Sequence, residues 1–205
     1  MELFLVFAGA FVVALSGALI PGPMLTVTVI QSLRHGFRAG PEITAGHAAA
    51  EIGLLVLVIL GLGPVITRPS VMKGIYSAGG VLLIISGVYM FTRRGLHVDL
   101  SPEGGKTAVS PFLSGVVTSV SNPTWHIWWA TVGLAYVTKA LSLGIPGIAA
   151  FFSGHILADL GWYGLVSFSV SRGGSFVTPK TYRTIISACS FLLAGFGFWF
   201  LLSAL

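Results

Sequence analysis

Two apolar stretches in opposite halves of the chain carry the same octet. Gly46-His47-Ala48-Ala49-Ala50-Glu51-Ile52-Gly53 recurs as Gly154-His155-Ile156-Leu157-Ala158-Asp159-Leu160-Gly161, so each copy reads G-H-x-x-A-acid-x-G. Both copies lie in runs long enough to cross a membrane. In lipid only helices and closed barrels satisfy their backbone groups, and these runs are too long for barrel strands. An ionisable side chain at that depth is costly and needs a pairing or functional reason. A sequence repeated in two halves of a membrane protein is the mark of a duplicated transporter scaffold, with its site near the repeat interface.

The composition agrees with this class. The 205 residues are 55% hydrophobic and 8% charged, with mean hydropathy +0.93, against roughly a quarter charged in a soluble domain. The formal charge of +5 belongs to loops, since no basic domain or aromatic-interleaved patch stands outside the apolar runs, and nucleic-acid binding is not expected. Cys189 stands alone, which excludes a disulfide framework and a dithiol redox pair and argues against a thiolate metal centre. No nucleophile–base constellation or cofactor motif appears, so neither an enzyme nor a cofactor is expected. The N-terminus opens with acidic Glu2 and resumes its apolar character after the prolines, so it reads as a retained first span and not as a signal peptide.

Six apolar segments are expected, over about 3–33, 43–66, 71–91, 111–138, 143–170 and 182–204. The first is interrupted by Pro21-Gly22-Pro23 and the fourth by Asn122-Pro123. Prolines remove backbone donors and free carbonyls, so a straight helix cannot pass. At membrane depth such a break survives where protein or a polar cavity serves the freed groups; the plain alternative is a proline kink. The order of break, acidic helix and plain helix occurs twice. Three spans is an odd number, so the second unit is expected upside down relative to the first. The expected fold is therefore an all-α integral membrane protein of six transmembrane helices. It forms two inverted three-helix repeats, 1–95 and 111–205, joined by a cytoplasmic linker over 96–110, with the first and fourth helices broken. Eight of the 11 basic residues, Arg34, Arg38, Arg93, Arg94, Lys106, Arg172, Lys180 and Arg183, fall on one side. Arg68, Lys73 and Lys139 fall on the other, which places the first set in the cytoplasm and both termini outside. Small residues recur every fourth position in Ala10, Ala14, Ala18 and in Ala45, Ala49, Gly53, rows that let helices approach closely.

His47 and Glu51 are four apart, as are His155 and Asp159, so each pair shares a helix face. Burial and a neighbouring imidazolium act on a carboxylate in opposite senses, and such a pair can trade protons near neutral pH. That suits a proton-coupled carrier, although a single pair serves equally as an interhelical hydrogen bond. His47 lies nearest the cytoplasmic end, where water reaches. Two His and two carboxylates also suit a divalent cation such as zinc, against which only His35 and His97 occur in loops. Pro-Gly-Pro offers a different feature. The half-helix from Met24 presents N–H groups and a positive dipole end to an anion, with Thr26 and Thr28 nearby. Asn122, Thr124 and the aromatic run Trp125, Trp128 and Trp129 can line the same cavity; a membrane-interface anchor is the alternative, more so for Trp128 and Trp129 than for Trp125. A zwitterion would satisfy both ends. A non-transporting membrane scaffold is the reading from another class, and it has no evident need of four ionisable groups in lipid. Six short helices enclose little volume, which is compatible with a homodimer.

Together these residues resemble the LysE/RhtB family of small amino-acid exporters. Leu19-Ile20-Pro21-Gly22-Pro23 and Leu33-Arg34-His35-Gly36-Phe37-Arg38-Ala39-Gly40 look like its first-helix motif and basic turn. Gly46 through Glu51 is similar to the start of its second helix, Ser121-Asn122-Pro123 to its central Asn-Pro, and Asp159 with Trp162-Tyr163 to its fifth helix. The resemblance implies efflux of amino acids or related metabolites, driven by the proton gradient, across the cytoplasmic membrane of a prokaryote. In this reading Pro21, Gly22 and Pro23 are expected to shape the substrate-binding break opposite Asn122 and Pro123, with Glu51 and Asp159 binding protons or the substrate ammonium and His47 and His155 tuning them. Where the family commonly has Lys and a small residue after Asn-Pro, this chain has Thr124-Trp125, implying a bulkier, less charged site.

Overall fold

The computed structural model describes residues 1–19, 22–62, 65, 68–93, 109–173 and 178–204. Pro21, residues 96–108 of the expected linker with His97 and Lys106, and Arg94 before it lie outside the described residues. Among the described residues the secondary structure is helical throughout: α1 (Glu2–Ala18), α2 (Pro23–His35), α3 (Ala39–Leu57), α4 (Pro69–Arg93), α5 (Pro111–Ser121), α6 (Pro123–Trp128), α7 (Leu134–Leu141), α8 (Gly144–Gly173) and α9 (Pro179–Ser203). A 3-10 turn, Gly36–Arg38, joins α2 to α3, and wide π-type turns follow α3 at Val58–Leu62 and α6 at Trp129–Gly133.

Proline punctuates this chain. Helices α2, α4, α5, α6 and α9 each begin on one, the position where the missing N–H costs nothing and the fixed φ already suits a helix. Ser110, Asn122 and Thr178 complete three of these starts by accepting from Leu113 N–H, Thr124 N–H and Thr181 N–H. The two helix breaks stand where the sequence places them. Helix α1 stops at Ala18 and α2 starts at Pro23, while Asn122 is extended (φ −91°, ψ 106°) between α5 and α6. The carbonyl of Val120, beside the second break, receives a hydrogen bond from His126 Nε2 at 2.8 Å. A carbonyl can only accept, so His126 carries its proton there, and this buried histidine is an internal cap.

The turn into α3 needs Gly36, whose φ of 66° and ψ of −153° are closed to other residues. Ser167 of α8 then ties it down, accepting from Gly40 N–H at 3.1 Å and donating to the Phe37 carbonyl at 2.8 Å.

Three long helix pairings organise the molecule: α1 along α8, α3 along α5, and α4 along α9. Each depends on glycine. A Cβ on Gly46 would strike the Phe112 carbonyl of α5, one on Gly115 the Ile43 carbonyl of α3, and one on Gly154 the Phe7 carbonyl of α1. Gly80 and Gly197 meet back to back between α4 and α9. The opening glycine of each octet is thus a helix-contact residue. A Cβ on the closing ones, Gly53 and Gly161, would meet nothing of the described residues beyond their own helix within 4 Å. The two small-residue rows also part company: Ala10, Ala14 and Ala18 are buried, whereas Ala45, Ala49 and Gly53 face outward. Spacing alone does not tell which side of a helix meets a neighbour, and here the contact side of α3 runs through Gly46.

The outer surface is apolar, with Phe4, Val12, Leu60, Ile85, Phe191 and Leu202 exposed, as lipid requires and water does not tolerate. Three stretches of the described residues are long and apolar enough to cross a membrane: Pro23–Gly61, Pro69–Tyr89 and Ile186–Ser203. Helices α1 and α5 are apolar but shortened by their breaks, and α8, 30 residues long, is made less apolar by His155 and Asp159.

Replacing Gly46 or Gly154 by Val is expected to lower stability by about 1–3 kcal/mol, the usual cost of overpacking. Gly161→Ala is expected to leave it almost unchanged. Thermal denaturation of the purified protein in detergent separates the two outcomes.

Candidate functional site

Helices α3 and α8 lie against each other in the middle of the molecule, and their octets bring both His–acid pairs to one point. His47 Nε2 stands 3.2 Å from Glu51 Oε1 and 3.3 Å from Asp159 Oδ2. His155 Nε2 stands 3.1 Å from the same Glu51 oxygen and 3.3 Å from the same Asp159 oxygen. The result is a closed ring in which imidazole and carboxylate alternate, each helix contributing one of each. All four residues are buried, Glu51 to 1% exposure. His47, which the sequence places within reach of cytoplasmic water, is 7% exposed and belongs fully to the ring.

Alternation is what burial demands. An unpaired ion in a low-dielectric interior is strongly destabilising, and a pair is tolerable only with good geometry and further hydrogen bonds. Glu51 receives those bonds from the other half of the chain. The indole N–H groups of Trp125 and Trp129 donate to Oε1 at 3.1 and 3.0 Å. Trp129, which fits an interface anchor by sequence, is 2% exposed. It sits at the start of the π-type turn that follows α6, four residues after Trp125, so both rings lie over one carboxylate. Glu51 Oε2 has no hydrogen-bond partner among the described residues.

The two imidazoles have different surroundings. His47 Nδ1 lies 2.7 Å from Ser119 Oγ on α5, and that hydroxyl is also 2.7 Å from the Gly115 carbonyl. When the hydroxyl proton points to Gly115, Ser119 accepts from an Nδ1–H; when it turns, Ser119 donates to a bare Nδ1. Either protonation state of Nδ1 is therefore served. His155 Nδ1 has no hydrogen-bond partner among the described residues and its ring is packed among Trp128, Trp129 and Phe151, so in either charge state Nε2 is the nitrogen that carries a proton toward the carboxylates.

The ring forms one wall of a cavity of about 420 Å³. Gly22, Pro23, Met24 and Leu25 bring the start of α2 to it, and Asn122 and Thr124 bring the second break. The two starts differ. Asn122 Oδ1 accepts from both the backbone N–H and the hydroxyl of Thr124, at 3.1 and 2.8 Å, so α6 is capped by its own chain. Gly22 has no side chain with which to cap α2. Thr26 is buried within α2 and does not line the cavity, while Thr28 bonds back to the Met24 carbonyl at 2.9 Å. Pro123 begins α6, and Pro21 lies outside the described residues.

The sequence does not single out Ser119, and it offers Trp125 and Trp129 without their role as donors to Glu51. Trp125 and Trp129 at a four-residue interval were the available signal, since one face of a helix then carries two N–H donors. For Ser119, one hydroxyl among several in α5, the sequence holds no distinguishing sign.

A multi-pass helical membrane protein with an ionisable ring facing an internal cavity has the make-up of a transporter. The model of the LysE type translocator family matches residues 15–204, and the chain belongs to this family, whose members are transporters and not enzymes. No curated protein matches the chain. No solved structure matches it either.

Ser119→Ala leaves His47 Nδ1 facing an apolar wall. Stability is expected to fall by about 1–3 kcal/mol, the cost of an unsatisfied buried polar group, with Ser119→Thr retaining most of it; denaturation of both variants in detergent checks this.

Proposed function

We propose that the protein is a proton-coupled exporter of amino acids or related small metabolites across the cytoplasmic membrane of a prokaryote. The observation that carries this is the four-membered ring of His47, Glu51, His155 and Asp159 on the cavity wall. With both imidazoles protonated, two positive and two negative charges balance. Release of one proton leaves a net charge of −1, and the arrival of an ammonium group restores neutrality. Proton and cationic substrate thus exclude one another at one place, which is the logic of an antiporter. The uncapped start of α2 supplies the complementary seat for a carboxylate.

The architecture that accompanies this proposal is two three-helix units, 1–95 and 111–205, in opposite orientation. Its support is the pattern of neighbours. Exchanging two such units pairs the first span of each with the second of the other, and third with third. The pairings α1 with α8, α3 with α5 and α4 with α9 follow that rule.

A second reading, export of a divalent cation, is favoured by one observation: the candidate ligand atoms of His47, Glu51 and His155 all lie within 4.8 Å of one another. Tight, pH-dependent binding of zinc or nickel to the purified protein, abolished in His155→Ala, would select it.

In proteoliposomes preloaded with a pool of labelled amino acids, acid outside is expected to accelerate release of one class. Glu51→Gln and Asp159→Asn are each expected to reduce that acceleration about tenfold or more, equivalent to roughly 1.4 kcal/mol of lost coupling. A double variant that keeps most of the gradient-driven release removes the coupling role.

A further inference from the structure

The cavity is selective by what it lacks as much as by what it contains. Among the described residues lining it, the only ionisable groups near neutral pH are the four members of the ring, all at one end. Glu51 Oε2, fully buried and without a hydrogen-bond partner, remains open to one further donor. Apart from Ser119, Asn122 and Thr124, the rest of the lining is aromatic or apolar, with Trp128, Tyr163, Phe196, Trp199, Met24 and Leu25 prominent. Ala14, Gly17 and Ala18 of α1 also line the cavity and contribute almost no side chain.

From this geometry we infer that the substrate is a monocationic amine with an aromatic or large aliphatic body, an amino acid of the phenylalanine, tryptophan or leucine kind. The inference rests on the amino-acid reading above and narrows it. A cavity of about 420 Å³ lies in the usual range of small-ligand sites and has room for an amino acid with a bulky side chain. Bases of apolar shape gain by burial against indole and phenyl faces, and an ammonium near those faces gains further. A charge on the substrate's side chain, beyond its α-ammonium and α-carboxylate, meets no oppositely charged partner among the described lining residues outside the ring. The ε-ammonium of lysine or the side-chain carboxylate of glutamate would be buried unpaired, so the same walls reject them.

Counterflow in proteoliposomes tests this with phenylalanine, leucine, alanine, threonine, lysine and glutamate at equal concentration. Phenylalanine or leucine is expected to exchange about tenfold faster than lysine, glutamate or alanine, the step that about 1.4 kcal/mol of differential binding gives. Trp128→Ala, folded by size-exclusion profile, is expected to lower the phenylalanine-to-alanine ratio at least fivefold. Lysine, glutamate, alanine or threonine exchanging as fast as phenylalanine overturns the inference and leaves amino-acid export standing. An unchanged ratio in folded Trp128→Ala overturns the assignment of that wall. Exchange of no amino acid by folded wild-type protein overturns both this inference and the reading on which it rests.

Discussion

Four ionisable side chains buried at one point must neutralise one another, and much of the structure follows from that requirement. His47, Glu51, His155 and Asp159 come from two helices distant in sequence, so α3 and α8 must be held at fixed depth and rotation. The octet itself supplies the means. Its opening glycine sets the helix backbone directly against a carbonyl of α5 or α1. The histidine one residue on and the acid five residues on then lie to one side of that contact, where they meet the pair from the other helix. Gly-His-x-x-Ala-acid is thus one device: a contact that locates the helix, and a pair that the contact aims. Trp125 and Trp129 finish it by donating to the acid that needs most support.

Much of this was legible in the residues. Two proline motifs inside apolar runs leave a helix no continuous path, and both breaks stand where those motifs fall. The i, i+4 spacing of His and acid put each pair on one face, and the recurrence of the octet indicated that the two faces belong together. What the sequence does not contain is rotation. The row Ala45, Ala49, Gly53 has the spacing of a contact stripe, yet it faces outward because α3 uses a different side. Trp129 resembles an interface anchor until the π-type turn carries it inward. Ser119 matters only because α5 happens to lie beside His47. These are properties of neighbours, which periodicity along one segment cannot encode.

The two breaks show how similar local sequences acquire different chemistry. At Asn122 the side chain reaches over its own helix start and occupies the donor there. At Gly22 there is no side chain to do so. One break is therefore closed by its own chain while the other is not, and in the proposed function this gives the cavity a single anion-binding end, which would set which way round a zwitterion lies.

The glycine contacts have a mechanical meaning. Where backbone rests on backbone, as between α1 and α8 and between α3 and α5, helices cannot slide without lifting apart, so each pair behaves as a stiff beam. The ionic ring reaches from α3 in one beam to α8 in the other. On the proposed coupling, its protonation state would set how firmly the beams are clasped, and a change of one proton would be felt as a change in the stiffness of the joint between them.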